Sequence, residues 1–130
     1  SYYAKAIEKA DIGKDSNFSR GWEDRWKKAR KIKNNQYLRT MRFNFFIAQD
    51  ELQKEKINYE LVYKSMVTFY ENLKSIDDKL RSNKETLKFL DAYHLNIAEL
   101  FSVLEINNAL KLLMYYDDDH KKTYESYLKN

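Results

Sequence analysis

The sequence predicts an all-α protein, an antiparallel bundle of three to four helices built around one long heptad-patterned helix. Three observations carry this expectation. Apolar or aromatic residues recur every seventh position at Leu38, Phe45, Leu52, Tyr59, Met66, Leu73 and Leu80. Three positions after each of the first six stand Met41, Ala48, Glu55, Val62, Phe69 and Ile76, so the pattern is that of a helix burying one stripe, with a polar lapse at Glu55. The chain has no proline and two glycines, which leaves few helix breakers. Finally, 130 residues with 43% hydrophobic and 15% aromatic content supply enough apolar mass for one domain with a core.

Taken in order, residues 1–18 read as a short N-terminal segment. Tyr3, Ala6, Ile7 and Ala10 can face one side of two to three helical turns, and the Gly-Lys-Asp-Ser-Asn cluster at 13–17 reads as a turn. So short a helix is marginal alone and must dock or fray. Residues 19–33 form a basic, Trp-bearing helix with Ser19 as N-cap. At about 100° per residue, Trp22, Trp26, Ala29 and Ile32 share one side and Lys27, Lys28, Arg30 and Lys31 the other. Continued unbroken, that wheel would carry Leu38 and Met41 onto the basic side, so a kink or short turn is expected at Asn34-Asn35.

Residues 36–81 are then read as the long helix. Gln49 to Lys56 is polar apart from Leu52, which would suit a hairpin turn near 54–58, but no glycine or proline marks one and the seven-residue register survives. A single helix is the preferred reading. Its flanking positions Arg42, Gln49, Lys56, Tyr63 and Tyr70 on one side, and Asn44, Glu51, Asn58, Ser65 and Asn72 on the other, lack the alternating charges of a self-sufficient coiled coil. The seam is therefore read first as internal to the bundle. The Phe-Asn-Phe-Phe-Ile run at 43–47 has strand propensity, yet both flanks keep the helical register, and so bulky a surface suggests contact on more than one side.

Ser82-Asn83-Lys84-Glu85 reads as a capping box, with Ser82 as N-cap and Glu85 at the third helical position. It opens the return helices at 83–128. Leu87, Leu90, Ile97, Phe101 and Leu104 form their first apolar face, Asn107-Asn108 a break, and Leu110, Leu113, Tyr116, Tyr124, Tyr127 and Leu128 the remainder.

Charge is segregated along the chain. Residues 20–42 hold nine Lys or Arg against Glu23 and Asp24, a net +7, whereas the whole chain is +4, so the remainder is −3. The candidate partner-binding residues are Trp22, Arg25, Trp26, Lys27, Lys28, Arg30, Lys31, Lys33, Arg39, Arg42, Phe43 and Phe46. Cations beside tryptophans suit an acidic protein surface, nucleic-acid phosphates with indole stacking on a base, or an anionic membrane surface. The bland reading is that both tryptophans are core and the cations a solvated face. No nucleic-acid-binding fingerprint accompanies them.

Two Asp-x-x-His pairs, Asp91/His94 and Asp117/His120, place a carboxylate and an imidazole on one helix face. Helical di-iron sites use that spacing with Glu, but here Asp replaces it, and Glu51, Glu55 or Glu60 would have to complete the set. His94 is read as a hydrogen-bonded core or boundary residue and His120 as exposed. No nucleophile, base and orienter are arranged for catalysis, so no enzyme activity and no cofactor are expected.

With no cysteine, disulfides and thiolate metal sites are excluded, and an intracellular reducing compartment is favoured. The chain opens at Ser1, which fits loss of an initiator methionine, cleavage of a targeting segment or trimming. No apolar run is long enough to span a membrane. The functional expectation is a non-enzymatic helical protein–protein interaction module, a small subunit or adaptor of a larger assembly or oligomer, whose basic segment docks on an acidic partner. A nucleic-acid-associated protein and a peripheral anionic-membrane binder are the alternatives.

Overall fold

A computed structural model describes the backbone of residues 16–76 and 80–129, and within them the side chains from Glu23 onward. The chain is all-α: α1 spans Ser16–Leu52, α2 Tyr59–Ser75, α3 Lys84–Val103, α4 Asn107–Tyr116 and α5 Lys121–Ser126, with short 3₁₀ turns at Leu80–Ser82 and Asp118–His120. The described residues include no strand, and the run at 43–47 is helical. The expected segment of Tyr3, Ala6, Ile7 and Ala10, with Gly13 to Asp15 of its turn, lies outside the described residues.

Four boundaries differ from expectation. First, α1 is already helical at Ser16 and continues through Asn34-Asn35, so Ser19 is no cap there and no turn interrupts the helix at that pair. Two asparagines cost a helix only about 0.7 kcal/mol each, too little to break it without a glycine or proline. The upstream apolar stripe also exerts no demand for a register change, since Ile32 is 59% exposed.

Second, residues 36–81 are not one helix. α1 stops at Leu52, where the Gln53 amide donates to Asp50 O at 3.2 Å and the Lys54 amide to Glu51 O at 3.2 Å, tightening its last turn. α2 then opens on Asn58, which has extended backbone angles and whose Oδ1 accepts from the Leu61 amide at 3.2 Å. The polar stretch at 49–56 thus becomes a turn. Burial follows the same division: Leu38, Phe45, Met66, Leu73 and Leu80 are fully buried, whereas Tyr59, beside the turn, is 68% exposed.

Third, the cap of α3 is Asn83. Ser82 sits in the preceding 3₁₀ turn, which the Asn83 amide closes on Leu80 O at 3.1 Å, and Asn83 Oδ1 then accepts from the Thr86 amide at 2.8 Å. Asparagine caps as well as serine. Glu85 is consequently one position early for a capping box and pairs with Arg42 instead.

The break after α3 comes at Glu105 rather than at Asn107-Asn108. The Ile106 amide donates to Phe101 O at 2.8 Å and the Glu105 amide to Ser102 O at 3.1 Å, the paired bonds of a Schellman ending. Glu105 takes φ 59°, the left-handed conformation usually given to glycine. Asn107 begins α4, and its side chain holds the chain's far end, donating from Nδ2 to Lys129 O at 2.8 Å.

Contacts gather into two compact units, Ser1–Asn35 and Gln36–Asn130. In the second, α1 contributes Leu38, Met41, Phe45 and Ala48 to the core, α2 Val62, Met66, Phe69 and Leu73, α3 Phe89, Leu90, Ile97, Ala98 and Phe101, and α4 Ala109, Leu110 and Leu113. Phe69 meets Phe101 edge-on at 5.2 Å, and Phe45 meets Phe89 likewise at 5.4 Å. Such pairs add about 0.5 to 1.5 kcal/mol beyond area burial. Tyr116, at the end of α4, donates its hydroxyl to Ile76 O at 3.1 Å, satisfying a carbonyl left open where α2 ends.

Candidate functional site

In the first unit, the basic residues Arg25, Lys27, Lys28, Arg30, Lys31 and Lys33 are all exposed on α1. Alternating cations along one helix repel one another at i,i+3 and i,i+4, and exposure to water keeps that repulsion weak. Trp26 is half-buried and the Arg30 guanidinium lies over its ring, 4.9 Å from the centroid, a cation–π contact at the i,i+4 spacing. Trp22 is in the helix, with its side chain outside the described residues. Ile32, which the wheel set beside Trp26, stands largely in water between Lys31 and Lys33.

In the second unit the remaining candidates divide. Arg39 is exposed. Arg42, at 14% side-chain exposure, donates from Nη1 to Thr86 Oγ1 at 2.5 Å and from Nη2 to Glu85 at 3.1 Å. Burial holds its guanidinium below its ordinary pKa, opposed by the Glu85 carboxylate and reinforced by the Arg39 charge. Thr86 is fully buried, so this contact satisfies a core hydroxyl and ties α1 to α3. Arg42 is accordingly engaged within the fold. Phe43 is 64% exposed and Phe46 39%. Phe46 leans edge-on against Phe89 at 5.6 Å and Tyr93 at 5.3 Å, which holds it in place at the rim of the core.

The two Asp-x-x-His pairs, 26 residues apart in sequence, meet. The His94 and His120 rings stack at 3.9 Å with 23° between their planes. His120 Nδ1 donates to Asp117 Oδ2 at 2.9 Å, and its Nε2 lies 3.2 Å from Asp91 Oδ1. Asp117 is buried and also accepts the Tyr124 hydroxyl at 2.6 Å. Burial, then the Asp117 bond and the nearby Asp117 and Asp91 charges, push the Tyr124 hydroxyl above its ordinary pKa. His120, at 16% side-chain exposure, is thus largely covered, correcting the expectation that it is exposed. His94 bonds Leu90 O from Nδ1 at 2.9 Å, in keeping with a boundary residue.

This cluster fastens the C-terminal turn to α3. Both His120 nitrogens face carboxylates, and stacked rings hold their in-plane lone pairs in near-parallel planes that do not converge on one ion. Among the described residues no group of three His, Cys, Asp or Glu is arranged to hold a metal. Glu51, considered as a further ligand, is buried with Lys54 Nζ at 3.1 Å from its Oε2.

Among the described residues no helix is long and apolar enough to cross a membrane. Comparison of the chain with protein-family models, curated proteins and solved structures finds no match.

Proposed function

We propose that the protein is a non-enzymatic helical interaction module, a small subunit or adaptor of a larger assembly, that docks on an acidic protein surface through the cations at 25–33 of α1. The observation that carries this reading is the exposure of six cations along about two and a half turns of helix with an apolar side chain, Ile32, exposed among them. An acidic protein surface offers carboxylates to the cations and apolar ground to Ile32, and the charge steers the approach. Nucleic-acid phosphates would satisfy the cations but leave Ile32 in water. Arg30 over the Trp26 ring also occupies a face on which a base would stack. A membrane-surface helix needs a continuous apolar side, and on the helical wheel Arg25 and Lys33 fall within that side and interrupt it.

The reading is tested by titrating the protein with three probes: an acidic amphipathic peptide, a single-stranded oligonucleotide and vesicles containing phosphatidylserine. The peptide is expected to bind with modest salt dependence, and Lys27→Glu with Lys31→Glu to abolish that binding. Preference for the oligonucleotide, with log affinity falling linearly and steeply in log salt, would overturn it in favour of the nucleic-acid reading. Preference for the vesicles would overturn it in favour of the membrane reading.

A further inference from the structure

On the outer side of α1 within the second unit, Arg39, Phe43, Phe46 and Asp50 follow one another at intervals of four, three and four residues. That is the spacing of a helix-packing seam, and all four are exposed. It lies across the helix from Leu38, Met41, Phe45 and Ala48, which face the core. An aromatic pair at its centre has a cation at one end and an anion at the other.

We propose that this face binds the same face of a second copy of the chain, the two α1 helices running antiparallel about a two-fold axis that crosses each helix midway between positions 43 and 46. The pattern is complementary to its own reverse. Sliding two antiparallel copies until Phe43 of each faces Phe46 of the other also brings Arg39 of each opposite Asp50 of the other, because both pairs are centred on one point of the helix. Such self-complementarity is what an isologous interface requires. A foreign partner would need an aromatic centre but not opposite charges set symmetrically about it. Phe46, braced against Phe89 and Tyr93, presents its edge with little rotamer freedom left to lose on association. The interface uses none of the cations at 25–33, so it stands or falls apart from the docking function.

The test is sedimentation velocity on the full chain from about 1 µM to about 1 mM, a range that brackets the association expected of a small interface. The expected result is concentration-dependent dimerisation. Phe43→Ala should weaken it about tenfold or more while leaving the melting temperature nearly unchanged, because the ring is exposed in the single chain. Arg39→Glu alone and Asp50→Arg alone should each weaken it about tenfold by setting like charges opposite, and the double variant should recover to within about threefold of the parent. A chain that stays monomeric throughout, a Phe43→Ala dimer of undiminished strength, or a double variant as weak as the singles would each overturn the proposal.

Discussion

Glu105 holds a left-handed φ of 59° between α3 and α4, where a Cβ costs about 1 kcal/mol or more. Glycine would relieve that strain, offset in part by its greater freedom in the unfolded chain. Glu105→Gly is therefore expected to raise stability by about 0.5 to 1 kcal/mol in urea unfolding; a loss would show that the Glu side chain outweighs the strain. Nothing in the sequence marks this position, because the usual glycine signal is missing. The Asn107-Asn108 pair drew attention two residues too late.

Tyr124 makes a second residue-scale prediction. Its hydroxyl is harder to ionise in the folded chain than in the unfolded one, so the folded state keeps a proton that the unfolded state gives up. The contribution is complete below the ordinary tyrosine value of about 10 and is lost as pH rises above it. Tyr124→Phe should lower stability at neutral pH by removing the bond to Asp117, and the gap between variant and parent should narrow as pH is raised above about 10. A constant gap in unfolding measurements across that range would contradict the pairing. The sequence did mark both Asp-x-x-His pairs. Their stacking was not legible, since local spacing places residues on a helix face and only the path of the chain through α4 and its 3₁₀ turn brings positions 94 and 120 together.

At the scale of elements, helix content was legible from the apolar period, and boundaries were not. The seven-residue count from Leu52 to Tyr59 and on to Met66 passes through a turn without missing a beat, so register alone could not reveal that α1 ends. Asn58 supplies the start signal of α2 with its side chain, a subtler mark of the turn than glycine or proline. The outer cations of α1 make the element-scale prediction. Because Lys27 and Lys31 are exposed, reversing both to Glu should leave thermal melting nearly unchanged, within about 0.5 kcal/mol of the parent. A large drop in melting temperature would show that the basic stretch is structural.

For the whole molecule, the core residues were the most legible feature, since a buried stripe must be apolar whichever way the helices turn. Phe45 and Phe69 were expected on the seam and are fully buried, each with edge-on aromatic neighbours. Phe45→Ala or Phe69→Ala is expected to cost about 3 to 5 kcal/mol in chemical unfolding, and a cost below about 1 kcal/mol would contradict their placement. Arg42 shows what composition leaves out. Counted among nine cations it reads as part of a docking surface, and the fold also bonds it to Thr86 and Glu85. Net charge reports which segments are cationic, but only packing separates the cations that face outward from those that fasten helices.

The central claim, that the exposed cations of α1 dock on an acidic protein, is tested most directly by affinity capture from nuclease-treated lysate of the source cell, with the parent chain and the Lys27→Glu, Lys31→Glu variant side by side. The account predicts a protein partner that the parent retains after nuclease and the equally stable variant loses. Capture that disappears with nuclease, or that the variant retains in full, would contradict it.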